Sequence, residues 1–446
     1  MSDATFPPAP APRFDPARRK AVTFALILVT SLSSFESTVV TTAMPTIIGD
    51  LHGLPLYSWV FSVYLFGSTI TMPVYGRLAD VHGRRKMLLL AIALFLAGSL
   101  LSALARTMPH LIAARGLQGL GAGGLIPLSL TVSGDLYSIE ERARIQALFS
   151  SVWGVGSLIG PLAGAFLTVT LGWRSIFLLN VPLGLLAAWL VATRMIESLG
   201  GRRDPGGGAG VLAILRRRAA AVPYASSTLL GIAIYGVSTF VPLYVQGARG
   251  GTAESAGAVV TPLILFWALS SAAGGRLILR VGFRGAALLG AAFLVLGFVG
   301  LVAAAALDAP TAFISGACAV VGMGLGPTAL SQVLAVQEDA PAERRGVATS
   351  LVPFFRTVGG TLGVGAMGAV LAARLAARLG PALGSASRAL SGEIPAPPGF
   401  RLAMESALLP IFASLLAVSC LSTVAAARFP AGRRRAGRGP SGGDSG

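Results

Sequence analysis

Three strongly charged side chains fall well inside the apolar stretches of this chain: Glu36, Arg115 and Arg356. A charge in hydrocarbon costs about 3 kcal/mol or more, so it faces water or a partner and marks a pathway. Drying a carboxyl group favours its protonated form, and a nearby cation favours the ionised one. Glu36, the one Asp or Glu in mid-span, can therefore load and release a proton near neutral pH; the alternative is a stably paired carboxylate. Arginine keeps its charge, so Arg115 and Arg356 can assist a proton but not carry one; otherwise they tie spans together through backbone carbonyls. His52, His82 and His110 stand at span ends or in loops without ligand spacing. With no HExxH sequence and no nucleotide-binding loop, no metal, cofactor or enzyme chemistry is expected.

The elements that hold these charges follow from composition. Of 446 residues, 54% are hydrophobic and 12% charged, against about 25% charged in soluble domains. A span needs about 20 apolar residues. The hydropathy pattern predicts twelve, over 21–48, 55–75, 87–105, 110–134, 145–168, 174–193, 221–246, 255–275, 285–307, 311–335, 347–373 and 403–427. They form two six-helix bundles, 21–193 and 221–427, joined by a linker, 194–220, whose apolar patch at 210–215 is too short to cross. The tails 1–20 and 428–446 complete the chain. The first apolar run is too long for a cleavable signal, so it is expected to be retained.

The net charge of +17 raises nucleic acid as a partner, but the positions of the charges argue against it. With the N-terminus inside, the cytoplasmic segments hold 26 of the 35 Lys and Arg residues and the outer loops 7. That is the positive-inside bias, weakest at the long outer loop 374–402. Both tails and the linker then lie in the cytoplasm of a plasma-membrane protein, and the basic tails meet anionic lipid headgroups. Cys318 and Cys420 both fall in spans and are expected to be buried free thiols.

The two halves repeat each other. Gly76-Arg77-Leu78 and Gly83 are matched at constant offset by Gly275-Arg276-Leu277 and Gly282, and Glu141-Arg142 after the fourth span has a counterpart in Glu343-Arg344 after the tenth. Such repeats imply parallel halves around a central cavity. Leu279 replaces Asp80 in the second copy, so the halves are not functionally equivalent.

These residues resemble the major facilitator superfamily, specifically its drug:proton antiporters, over about 21–427. Gly76-x-Leu78-Ala79-Asp80-x-x-Gly83-Arg84-Arg85 is similar to the superfamily's loop signature, with Val81 at a usually basic position. Arg115-x-x-Gln118-Gly119-x-Gly121 resembles the fourth-span motif of proton-coupled members. Gly156-x-x-x-Gly160-Pro161-x-x-Gly164 resembles the antiporter motif of the fifth span, with Ala147 and Ala165 where Gly is frequent. Trp59 with Tyr64, Trp173-Arg174-x-Ile176-Phe177-x-x-Asn180-x-Pro182 and Phe355-Arg356-x-x-Gly359-Gly360-x-x-Gly363 resemble exporters that usually carry fourteen spans. Here two central spans are missing, and Glu36-Ser37-Thr38 stands where those relatives often have Asp and Thr.

The resemblance implies an all-α membrane protein of the major facilitator fold that exports small amphipathic or lipophilic compounds in exchange for protons, as a monomer, by alternating access. It implies a proton-coupling group of Glu36, Arg115 and Arg356. Asp80, near the expected start of the eleventh span, gains about 0.3–1 kcal/mol from that helix dipole; with Arg84, Arg85 and Asp135 it reads as a conformational latch, together with Gly76 and Gly83. Gly156, Gly160 and Gly164 share a helix face that allows close contact, and Pro161 favours a bend. Substrate contacts are expected from Thr38, Trp59, Tyr64, Gln118, Trp153, Asn180, Tyr235, Gln246 and Phe355, with Phe240, Tyr244, Phe266, Trp267 and Phe354 as further cavity rings. Aromatic faces suit flat molecules and cations, although core packing or lipid exposure explains any one ring as well. Two other readings stand beside export: an uptake transporter of the same fold, and a receptor or scaffold that moves nothing.

Overall fold

The computed structural model describes residues 15–51, 56–196, 218–341, 344–380 and 399–429. Most of the expected linker and outer loop lies outside these residues. Twelve helical elements account for nearly all of the described chain: α1 Pro16–Leu51, α2 Tyr57–His82, α3 Arg84–Ala103, α4 Met108–Leu136, α5 Ile139–Leu171, α6 Arg174–Leu178, α7 Asn180–Arg194, α8 Arg218–Gly247, α9 Ala253–Ala306, α10 Thr311–Asp339, α11 Arg345–Leu379 and α12 Phe400–Ala427. Among the described residues, eight segments have the length and hydropathy to cross a bilayer by themselves. A helix suits that medium because every backbone group finds its partner within the segment. Inward hydroxyls follow the same rule: Thr30 Oγ1 donates to the Leu26 carbonyl at 2.8 Å and Ser129 Oγ to that of Leu125 at 2.6 Å.

The elements and the crossings are not in one-to-one correspondence. α6 and α7 together make the sixth crossing. α9, with 54 residues, would be about 80 Å long if straight, far beyond a hydrocarbon core of about 30 Å. It reverses at Gly282, where φ is 75°. Gly83, between α2 and α3, has φ 99°. Both positive values fall on the glycine that closes the repeated motif, at the backbone setting that glycine adopts without Cβ strain. The sequence repeat is thus a repeated turn, and the crossings among the described residues number twelve, six in each half.

In the first half α4 packs between α2 and α3, and α1 packs on α5 and α7; in the second α9 packs on α10, α8 on α11, and α12 on both α8 and α9. The two halves meet along α2 with α11 and α5 with α9. Every hydrophobic cluster of the described residues lies within one half. The contact between halves includes close approaches at glycine: Gly76 against Gly346 and Ser350, and Gly154 against Ile264 and Ala268. Phe66, Phe166, Val169 and Leu362 lie exposed on the outside, as suits chains facing lipid.

A polar clamp closes the first half at the end opposite Asp80. Asp50 Oδ2 accepts from Trp173 Nε1 and Arg174 Nη1, both at 2.9 Å, and Arg174 Nη2 donates to the Ala105 carbonyl at 3.2 Å. The Trp173-Arg174 motif therefore ties the end of α1 to the turns entering α4 and α6. Two expected rings also belong to packing rather than to a cavity: Phe240 and Tyr244 are buried in the core of the second half, the latter edge-on to Phe412 at 5.5 Å. Cys318 is buried as expected, but Cys420 is exposed, because its face of α12 has no neighbouring helix to cover it.

Candidate functional site

Glu36 and Arg115 are brought together inside the first half. Arg115 Nη1 donates to Glu36 Oε1 and to Gln118 Oε1 at 2.6 Å, one turn along α4. Asn180 Nδ2 donates to Glu36 Oε2 and to Ser99 Oγ, both at 2.9 Å. Gln118 Nε2 reaches Ser99 Oγ at 3.4 Å, and Ser99 Oγ contacts the Phe177 carbonyl at 3.0 Å. The result is a closed ring of five side chains from α1, α3, α4 and α7. All five are buried.

The surroundings of the guanidinium complete its coordination. Arg115 Nε faces the Val60 carbonyl at 3.4 Å, and its Cζ sits 4.1 Å from the centre of the Tyr64 ring. An ion pair this dry is held only if its remaining donors and acceptors are satisfied, which is what Gln118, Asn180, Ser99 and Tyr64 do here. In this structure the amides of Gln118 and Asn180 and the ring face of Tyr64, all three expected to contact substrate, are turned to the pair. α4 can carry Arg115 so close to α2 because Gly119 has no side chain; a Cβ there would collide with the Tyr64 backbone.

The second constellation joins the two halves. Asp80, near the end of α2, accepts from the backbone N–H groups of Gly346 and Val347, each at 2.9 Å. These lie in the first turn of α11, where donors have no partner within the helix. Arg84 Nη2 contacts Asp80 Oδ1 at 3.0 Å and its Nε contacts Asp135 Oδ2 at 3.1 Å. Asp135 in turn receives Arg345 Nη1 at 2.8 Å. Gln337 of α10 adds a bond to the Leu130 carbonyl of α4 at 2.9 Å. Gly76 and Gly346 let the helices touch: a Cβ on Gly346 would stand 2.6 Å from the Gly76 carbonyl oxygen. Arg85 bonds within its own half, to the Ala192 carbonyl. Leu279, at the repeat position of Asp80, is exposed, so this position offers no carboxylate to a facing helix in the second half.

Other expected site residues are dispersed. Arg356 lies in the second half, where Nη2 donates to Gln332 Oε1 at 3.1 Å. Phe355 stacks on Tyr224 at 5.4 Å. Tyr235 and Trp59 are exposed, and Trp153 and Gln246 half-buried. On α5, a Cβ on Gly156 would collide with the Ser34 side chain of α1, so the glycine motif does place two helices in close contact; Gly160 and Gly164 are buried. The side chains of Thr38 and Pro161 lie outside the described residues. Sequence reasoning missed Ser99 and Arg345. Nothing marks Ser99 among the serines of the spans, whereas Arg345 was legible as a cation in the first turn of the helix that receives Asp80.

Two six-helix halves, latched at one end and holding a buried acid–guanidinium pair, define a polytopic membrane transporter. The chain belongs to the Major Facilitator Superfamily, whose family pattern matches residues 26–364. It is 30% identical over 417 residues to the "Multidrug transporter protein MdtP" of Bacillus subtilis (strain 168), covering 80% of this chain and 76% of that protein. It is 29% identical over 412 residues to "Multidrug resistance protein 3" of the same organism, covering 79% and 80%. Among solved structures, a bacterial homologue of the iron transporter ferroportin in its outward-facing state superposes with a TM-score of 0.70 at 14% identity, covering 92% of this chain and 98% of that one. The proton:xylose symporter XylE does so with 0.69 at 16%, covering 92% and 95%. At such identities the structures speak for the fold alone.

Proposed function

We propose that this transporter exports small amphipathic compounds in exchange for protons. The observation that supports this most is the Glu36–Arg115 ring: it holds a mid-span acid, dry and paired, in a chain similar to multidrug transporters. When Glu36 takes up a proton, Arg115 loses its counter-charge and the ring must rearrange. α4 carries Arg115 toward one end and Asp135 at the other, 20 positions or about 30 Å apart. A shift of α4 then acts on both the ring and the latch. The halves alternate about a central site, with Asp80, Arg84, Asp135 and Arg345 closing the cytoplasmic end in one state and parting in the other. The protein works as a monomer in the plasma membrane.

Purified protein in proteoliposomes tests this reading. Addition of a transported compound on one side is expected to move protons to that side, and an imposed pH gradient to drive the compound the other way. Absence of any compound-dependent proton movement across a panel of cations, neutral molecules and anions would leave the scaffold reading instead.

The orientation has its own test. Cysteines introduced singly by Ser391→Cys and Gly207→Cys, in a background lacking Cys318 and Cys420, are exposed to an impermeant thiol reagent on intact cells. Only the first is expected to react. Reaction of the second from outside would overturn the placement of both termini in the cytoplasm.

A further inference from the structure

Arg115 and Arg356 are both arginines within the spans, yet the structure treats them differently. Arg115 has a carboxylate, an amide, a carbonyl and an aromatic face. Of the five N–H donors of Arg356, a protein acceptor is found for one group only, Nη2, and that acceptor is the neutral Gln332. Nε of Arg356 is buried with no partner among the described residues. No ion pair to Arg356 is found among the described residues. Glu36 is committed to Arg115, and Asp80 and Asp135 to the latch. Arg356 lies 11 positions beyond Arg345 on α11, about 16 Å from the latched end and so near mid-membrane.

The guanidinium is nevertheless held in place. Gln332 is fully buried and its Nε2 donates to Ser226 Oγ at 3.0 Å. Behind it, the α11 backbone presses on Gly231, where a Cβ would collide with the Arg356 carbonyl. Two rings belong to the same stretch of α11: Phe355, the preceding residue, stacks on Tyr224, and Tyr235 of α8 packs against Gly360, one turn on. A fixed cation in the membrane, braced from one side and lacking an anion, matches a planar acid that arrives from outside the protein. A guanidinium fork takes such a group by two parallel bonds.

We propose that Arg356 is the anchor for the head group of transported organic anions: compounds with a carboxylate on a flat apolar body, the body lying against Tyr235 and Phe355. This rests on the transport reading above and names its substrate class. Exchange of a monoanion for one proton would carry two elementary charges per cycle, so membrane potential alone should drive it.

The test uses three probes of one shape in equilibrium binding to the purified full chain: 2-naphthoate, 2-naphthylmethanol and (2-naphthylmethyl)trimethylammonium. The wild type is expected to bind naphthoate at least tenfold more tightly than the alcohol. Arg356→Gln should remove that preference by weakening naphthoate far more than the alcohol; Arg356→Lys, which keeps charge but not the fork, should retain part of it. Gln332→Glu supplies an internal carboxylate at the bracing position and should also cancel the preference, which keeps the test open if Arg356→Gln does not fold. An anion preference that survives either variant, or a wild type that prefers the cation, overturns the proposal. If naphthoate binds through Arg356 but no compound moves protons, the transport reading fails and the anion site stands.

Discussion

Glu36→Gln is expected to abolish proton-driven accumulation of substrate while leaving exchange of substrate for substrate in place. The glutamine keeps an oxygen for Arg115 to donate to, and so mimics the protonated acid in shape. It cannot release a proton, so a cycle that requires the empty carrier to return with one is blocked. One proton crossing about 180 mV delivers about 4 kcal/mol, enough to hold a neutral substrate at roughly a thousandfold gradient. That gradient should collapse to about unity. The cost in stability is real, because Arg115 is left buried without its counter-charge, and removal of one partner of a buried pair costs about 3–5 kcal/mol when nothing compensates. The retained acceptor lessens this, so a folded variant with a lowered melting temperature is expected. Glu36→Asp supplies the control: it keeps the charge one bond further from Arg115 and should retain reduced, pH-shifted transport. By linkage, proton and substrate should oppose each other's binding in the wild type and cease to do so in the Gln variant. A Gln variant that still builds a gradient from a pH difference sends the proton elsewhere.

Gly346→Ala should unlatch the end of the bundle that Asp80 closes. The added Cβ would sit 2.6 Å from Asp80 Oδ1 and equally close to the Gly76 carbonyl oxygen. Neither can yield cheaply, since one belongs to a backbone and the other is gripped by two N–H groups and Arg84. Each hydrogen bond to a charged group is worth about 1.5–3 kcal/mol; loss of both shifts the closed-to-open ratio by roughly a hundredfold or more. Spin labels at Val81 and Leu279, both exposed, should report a longer distance across this end, and transport should fall about tenfold or more. Asp80→Asn, which preserves shape and removes charge, should move the same distance in the same direction by less. Unchanged distances in both variants would leave Asp80 with a topological role only.

Much of this protein was legible before any coordinates, for one physical reason: hydrocarbon tolerates few charges. That rule alone singled out Glu36, Arg115 and Arg356 and counted the twelve crossings. The repeat of Gly76–Gly83 in Gly275–Gly282 pointed to equivalent turns, and both closing glycines adopt positive φ because no other residue reverses a chain there as cheaply. Asp80 was legible as a partner for the start of α11, since a helix N-terminus attracts a carboxylate wherever the fold brings one near.

Partnership was not legible. Arg115 and Arg356 are the same residue type at similar depth in the sequence pattern, yet one is saturated and the other open. Composition and spacing cannot separate them, because the choice depends on how α1, α3, α4 and α7 are rotated about their axes. Those rotations carry Gln118 and Asn180 onto the ion pair and recruit Ser99, which no sequence signal marks; in the second half the packing of α10 against α11 leaves Arg356 with Gln332 as its one side-chain acceptor among the described residues. The sequence determines which side chains a membrane cannot leave unpaired; the packing of helices decides which of them find a partner within the protein and which must wait for one from outside.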